Sequence, residues 1–128
     1  MKKKNIQNQK LVDQYAERLI KTIKLEKYNK INLLYKKIFE TWKKGKTIYI
    51  CGNGGSAGNA NHIANDLIFA AGKKNKSGLK VESLASNPSI ITCLANDIGY
   101  ENIFSEQIKV KGAKGDLLIV LSGSGNSK

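Results

Sequence analysis

The sequence contains a single proline and only two cysteines. So little cysteine excludes a disulfide-stapled scaffold, and one proline excludes a proline-rich linker or fibre. No stretch approaches the roughly 18 consecutive apolar residues of a membrane-crossing helix. The basic start, Met1-Lys2-Lys3-Lys4, runs into polar Asn5, Gln7, Asn8, Gln9 and Lys10, where a secretory signal needs an apolar segment. These absences lead us to expect a cytoplasmic, reduced protein with no membrane attachment. Acidic residues are scarce too, 10 against 22 basic ones in 128 residues, a length that suits one domain.

The basic excess is uneven. Residues 1–46 hold 14 Lys and Arg against four acids, whereas residues 47–128 hold eight against six. Every basic residue except Arg18 is Lys, so the Arg forks that grip guanine edges are lacking. A solvated helix surface accounts for such a charge run, and nucleic acid is not the partner we expect.

The chain divides by texture at about residue 46. In residues 1–46, Leu11, Tyr15, Leu19 and Ile23 step by four, and Ile31, Leu34, Tyr35, Ile38 and Trp42 repeat the stripe. This spacing predicts two amphipathic helices, over 5–25 and 28–44, with faces wide enough to bury against a partner subunit. Residues 47–128 alternate between strand and helix. Strands are expected at 47–51, 80–84 and 116–121, the last a continuous apolar run of the kind buried on both faces. Helices are expected at 57–71, 88–95 and 100–108, with a surface loop over 72–78. The pattern predicts an α/β fold, a helical pair followed by part of a doubly wound parallel sheet. The third strand runs into Ser122-Gly123-Ser124-Gly125-Asn126-Ser127-Lys128 with no helix to cover it, so we expect a domain cut short. Cys51 and Cys93 lie in or beside apolar runs and read as small core residues.

Two Gly/Ser loops follow strands, at Gly52-Asn53-Gly54-Gly55-Ser56 and Ser122–Ser127. Gly lets backbone amides approach closely, Ser and Asn add short donors, and a following helix N-terminus favours an anion. Together they point to a phosphorylated ligand held by uncharged donors. The first loop also fits a dinucleotide fingerprint, Gly52-x-Gly54-x-x-Ala57, with Glu82 as a ribose acceptor. A Walker-type loop is excluded, because Glu40 stands where the leading Gly of Gly45-Lys46-Thr47 belongs.

The only histidine, His62, precedes Asp66 by four residues. That spacing places both on one helix face, as a metal-binding or acid–base pair or as an ordinary i,i+4 hydrogen bond.

Four ordered blocks now carry a resemblance. Cys51–Ser56, then His62, then Asn96-Asp97-x-Gly99-Tyr100 with Ile103-Phe104-Ser105, and finally Ser122-x-Ser124-Gly125-Asn126-Ser127 resemble the phosphoheptose isomerase branch of the SIS (sugar isomerase) family, over the whole chain. The resemblance implies a flavodoxin-like SIS domain behind N-terminal helices and a homotetramer with sites at subunit interfaces. It implies conversion of sedoheptulose 7-phosphate into D-glycero-D-manno-heptose 7-phosphate, toward lipopolysaccharide or capsule heptose. By the same likeness Asn53, Gly54, Gly55, Ser56, Asn96 and Asp97 would touch the substrate, and Ser122, Gly123, Ser124 and Ser127 would hold its phosphate.

His62 matches a zinc ligand, and Asp66 stands at the position of a Glu that binds zinc and serves as base. The family's remaining zinc ligands and acid–base partner would lie beyond Lys128. Two positions depart from the pattern: Asp66 is one methylene shorter than Glu, and Gly123 stands where Thr is usual. The chemistry implied is proton transfer through an enediol. A non-catalytic SIS binding module, a dinucleotide binder and a nucleic-acid binder are the other readings, in that order.

Overall fold

In the computed structural model, which describes residues 2–25, 28–69 and 78–126, the two apolar stripes become long helices, α1 (Lys2–Leu25) and α2 (Tyr28–Lys43). α1 starts three residues earlier than the stripe predicts, because Lys and Gln sustain a helix without apolar residues. The chain forms two compact units, Met1–Lys36 and Lys37–Lys128. In the first, Leu11, Tyr15, Leu19 and Ile23 of α1 and Ile31, Leu34 and Tyr35 of α2 stay exposed.

The second unit begins with the last turns of α2. It continues through β1 (Thr47–Gly52), α3 (Gly55–Phe69), β2 (Lys80–Ser83), α4 (Pro88–Ile98), a 3-10 turn (Tyr100–Asn102), α5 (Ser105–Lys111) and β3 (Leu117–Leu121). All three strands are parallel, in the order β2-β1-β3. This is the strand order of a flavodoxin-like sheet, in which ligands bind outside the carboxyl ends of the strands where the order reverses, here β1 and β3.

β1 is central and buried on both faces, as its β-branched, apolar sequence requires. Ile48 and Ile50 pack on one face against Ala60 and Ala64 of α3, with Ile38, Val81, Leu117 and Ile119 around them. Two alanines four apart let the helix lie close to the strand. On the opposite face Tyr49, Cys51 and Leu84 meet Phe104 and Ile108. Helices therefore cover both sides, as a doubly wound sheet demands.

Four expectations need correction. β3 is not buried on both faces: Leu118 and Val120 are 46% and 66% exposed, because β3 is an edge strand and no described helix covers that side. α4 continues three residues past the predicted end. It is started by Asn87, whose side chain accepts the N–H groups of Ser89 and Ile90, and stopped by Gly99 at φ +95. The single helix expected at 100–108 is instead a 3-10 turn and then α5. α3 begins at Gly55, two residues earlier than expected. Most of the loop expected at 72–78 lies outside the described residues.

Asp116, just before β3, accepts the backbone N–H groups of Thr47 (2.9 Å) and Ala113 (2.8 Å). These bonds, aided by Lys46 and Lys80, hold its carboxyl below the ordinary 3.8. A lowered pKa favours the ionised, folded form, so its contribution is complete above the unfolded value and is lost as pH falls through the folded one. Urea unfolding midpoints are expected to fall as pH drops below about 4, and Asp116→Asn is expected to lose part of that slope. Identical slopes in the two proteins would show that Asp116 does not contribute.

Candidate functional site

The parallel register sets Gly52 opposite Leu121, so the two Gly/Ser loops leave adjacent strands side by side. Their closeness is set by Gly52. A Cβ placed there would lie 2.7 Å from Ser56 Cβ and 2.8 Å from the Leu121 carbonyl oxygen. No side chain fits between the first loop, the start of α3 and the end of β3.

The first loop is Asn53-Gly54-Gly55. Gly54 adopts φ +55, a left-handed backbone that favours glycine. Ser56 donates its N–H to the Asn53 carbonyl and Ala57 donates to that of Gly54, which starts α3 directly from the loop. A Cβ at Gly54 or Gly55 would meet nothing within 4 Å, so this stretch is open. The second loop is shaped by its own serines. Ser122 Oγ accepts the Gly125 N–H at 3.0 Å, and Ser124 Oγ accepts the Asn126 N–H at 3.2 Å. Gly125 is left-handed, and Gly123 is open. Ser127 lies outside the described residues.

A cavity of about 600 Å³ opens beside these loops, with Gly52, Asn53, Ser105, Leu121, Ser122 and Gly125 among its walls. A smaller one of about 230 Å³ lies on the other side of Asn53, against Pro88, Ile91 and Tyr100. Neither loop carries a basic side chain in its described part. Lys109, on the wall of the larger cavity, is paired with Glu106.

The other predicted residues stand apart from these walls. His62 Nε2 lies 3.3 Å from Asp66 Oδ2 on the outer face of α3, with the side chains 77% and 56% exposed. The i,i+4 pair therefore forms, but it does not line either cavity. Among the described residues no group of three or more His, Cys, Asp or Glu could hold a metal. Zinc sites need three or four protein ligands, and His62 and Asp66 supply only two donors among the described residues.

Asn96 and Asp97 end α4 and bond to each other, Asn96 Nδ2 donating to Asp97 Oδ1 at 2.8 Å. Cys93 Sγ, 3.5 Å from Asp97 Oδ2, donates to the same carboxylate. That acceptor, with its charge, raises the thiol pKa. Cys93 is exposed, which corrects the core reading. Cys51 is buried as expected, and burial pushes its thiol up.

Glu82 lies within β2 and pairs with Lys111. Its carboxylate is engaged by a cation, which weakens the dinucleotide reading. Tyr100 and Ser105 reach the cavities without having been predicted as site residues. Both fall inside the Asn96–Ser105 motif, which was the available signal.

Residues 13–128 match the model of the SIS domain family. The chain belongs to that family. Its SIS relatives include the phosphoheptose isomerase of Helicobacter pylori strain Shi470, 45% identical over 91 residues covering 71% of this chain and 47% of that protein. Another is phosphoheptose isomerase 2 of Campylobacter jejuni, 36% identical over 123 residues covering 96% and 55%. The chain spans about half the length of these curated relatives. Among solved SIS structures, it is similar to the phosphoheptose isomerase of Neisseria gonorrhoeae, with a TM-score of 0.77 at 28% identity over 94% of this chain and 63% of that one. A phosphoheptose isomerase from Francisella tularensis, at 24% identity and a TM-score of 0.79 over 90% and 61%, shows the same fold. The resemblance read from the four motifs and the family match thus agree on the SIS family, and the β2-β1-β3 sheet with helices on both faces matches the fold of these structures.

Proposed function

We propose that this chain is the sugar-phosphate-binding part of an aldose–ketose isomerase converting sedoheptulose 7-phosphate into D-glycero-D-manno-heptose 7-phosphate, in heptose biosynthesis for lipopolysaccharide or capsule. The observation that carries the reading is the meeting of two uncharged Gly/Ser loops at the ends of β1 and β3. Neutral donors and backbone N–H groups at that position suit a phosphate. In this reading Ser122, Gly123, Ser124 and Ser127 hold the phosphate, while Asn53, Gly54, Gly55, Ser56, Asn96 and Asp97 meet the sugar. Binding energy from the phosphate, remote from the reacting carbons, fixes their geometry.

Asp66 is the proposed base, oriented by His62. It takes a proton from C1 of the ketose, next to the C2 carbonyl, giving an enediolate with its charge on O2. Return of that proton to C2, with transfer of the O1 proton to O2, leaves the aldehyde at C1 and a hydroxyl at C2. Both side chains stand on an exposed helix face, which supports a site completed by another copy. The bare apolar stripe of α1 supports the same reading, of a homotetramer. Zinc belongs to the proposal only as a metal for which His62 and Asp66 would be two of the donors. Among the described residues no helix is long and apolar enough to cross a membrane, and a cytoplasmic location is part of the proposal.

Calorimetric titration of the protein expressed from its complete reading frame tests the reading, with sedoheptulose 7-phosphate, sedoheptulose and NAD as ligands and turnover followed in parallel. The expected result is binding and turnover of the phosphorylated sugar, with binding lost when the phosphate is absent. Binding without turnover would favour the non-catalytic module, and binding of NAD alone the dinucleotide reading.

A further inference from the structure

The 3-10 turn after α4 brings one side chain back onto the first loop. Tyr100 donates its hydroxyl to Asn53 Oδ1 at 3.1 Å, across 47 residues of sequence. Backbone geometry aims it there. Gly99 at φ +95 reverses the chain at the end of α4. Asn102 then fixes the turn, donating its N–H to the Gly99 carbonyl and its Nδ2 to that of Ile98. The Tyr100 ring forms part of the wall of the smaller cavity, together with Gly54, Ala57, Pro88, Ile91 and Phe104.

An asparagine amide has an acceptor end and a donor end, and either can face a ligand. The Tyr100 hydroxyl takes one lone pair at the acceptor end. Among the described residues no acceptor engages Nδ2, and Asn53 borders both cavities. The amide is therefore held with its two N–H donors unengaged by the described residues and facing the cavity walls.

We propose that Tyr100 is a positioning residue, whose hydroxyl orients Asn53 to donate hydrogen bonds to a carbonyl or hydroxyl oxygen of the sugar. This assignment rests on the isomerase reading and adds to it the direction of one substrate contact. An oxygen met by Asn53 Nδ2 must accept there. Tyr100 acts through Asn53 and needs no contact with the sugar.

A double-mutant cycle on the protein expressed from its complete reading frame tests the assignment. Tyr100→Phe keeps the ring and removes the hydroxyl. Loss of one neutral hydrogen bond of this kind is expected to lower kcat/KM for sedoheptulose 7-phosphate about fivefold, chiefly through KM. In an Asn53→Ala background, where no amide remains to be oriented, the same substitution is expected to change kcat/KM by less than about 1.5-fold, because two residues acting through one contact are not additive. An equal effect in both backgrounds, or none in either, would overturn the assignment.

The Asn53 side-chain amide resonances give a readout that needs no substrate. They are expected to shift in Tyr100→Phe while the backbone resonances of β1 stay in place. Unmoved side-chain resonances would show that the hydroxyl does not hold the amide. Absence of turnover by the unsubstituted protein would instead overturn the isomerase reading, whatever the resonances show.

Discussion

Asp66→Asn is expected to lower turnover of sedoheptulose 7-phosphate by about 1,000-fold, within the usual range for removal of a general base. Asn keeps the size and shape of Asp but cannot take the C1 proton. The substitution leaves the fold intact, because Asp66 lies on the outer face of α3 and its contact with His62 is an exposed i,i+4 pair, worth only about 0.5 kcal/mol. The phosphate loops lie on β1 and β3, not on that helix face, so Asp66→Asn is expected to go on binding the phosphorylated sugar. Kinetics, titration and urea unfolding of the same preparation check the three parts. Equal turnover by the two proteins would remove Asp66 from the role of base.

Gly52→Ala is expected to damage both stability and binding. The added methyl group would meet Ser56 Cβ at 2.7 Å and the Leu121 carbonyl oxygen at 2.8 Å, and the second of these is backbone that cannot turn aside. Either α3 shifts away from β1 or the two strands part, and each movement separates the loops. Overpacking of this kind costs about 1–3 kcal/mol. A displacement of about 1 Å at a positioned site can lower kcat/KM on the order of 100-fold. Gly58→Ala is the contrasting case. Its Cβ would meet nothing within 4 Å on a helical residue, and Ala is preferred to Gly in a helix by about 1 kcal/mol. Gly58→Ala is expected to raise the urea midpoint and Gly52→Ala to lower it. A Gly52→Ala protein as stable as the original, with unchanged kcat/KM, would contradict the close packing of the two loops.

Much of the framework is local, and for that reason legible. Thr47–Cys51 is short, apolar and β-branched, and it ends in glycines. It could be read as a strand feeding a ligand loop, and it became the central β1. The second Gly/Ser loop could be placed at a strand end in the same way. The adjacency of the two loops follows from the parallel order alone. The i,i+4 spacing of His62 and Asp66 gave a real pair, because helix geometry fixes that distance.

What was not legible depends on partners far away in sequence. Spacing said nothing about where the His62–Asp66 pair stands relative to the cavities. Nothing in the motif said that Asn96 and Asp97 bond to each other. The apolar run of β3 could not reveal that Leu118 and Val120 are exposed, because burial depends on what covers the strand. The bond between Tyr100 and Asn53 spans 47 residues, and its cause is a positive φ at Gly99 that no hydrophobic pattern encodes. Cys93 was assigned to the core from its apolar neighbours, yet it sits on the outward side of α4. There a single position decides between burial and solvent.

We propose that the isomerase of which this SIS chain is the sugar-phosphate-binding part acts on a heptose phosphate. The most direct measurement is the phosphorus NMR spectrum of sedoheptulose 7-phosphate incubated with the protein expressed from its complete reading frame. A growing resonance of D-glycero-D-manno-heptose 7-phosphate is expected, present with the unsubstituted protein and absent on the same timescale with Asp66→Asn. A spectrum that stays that of sedoheptulose 7-phosphate alone, from a folded protein, would contradict it.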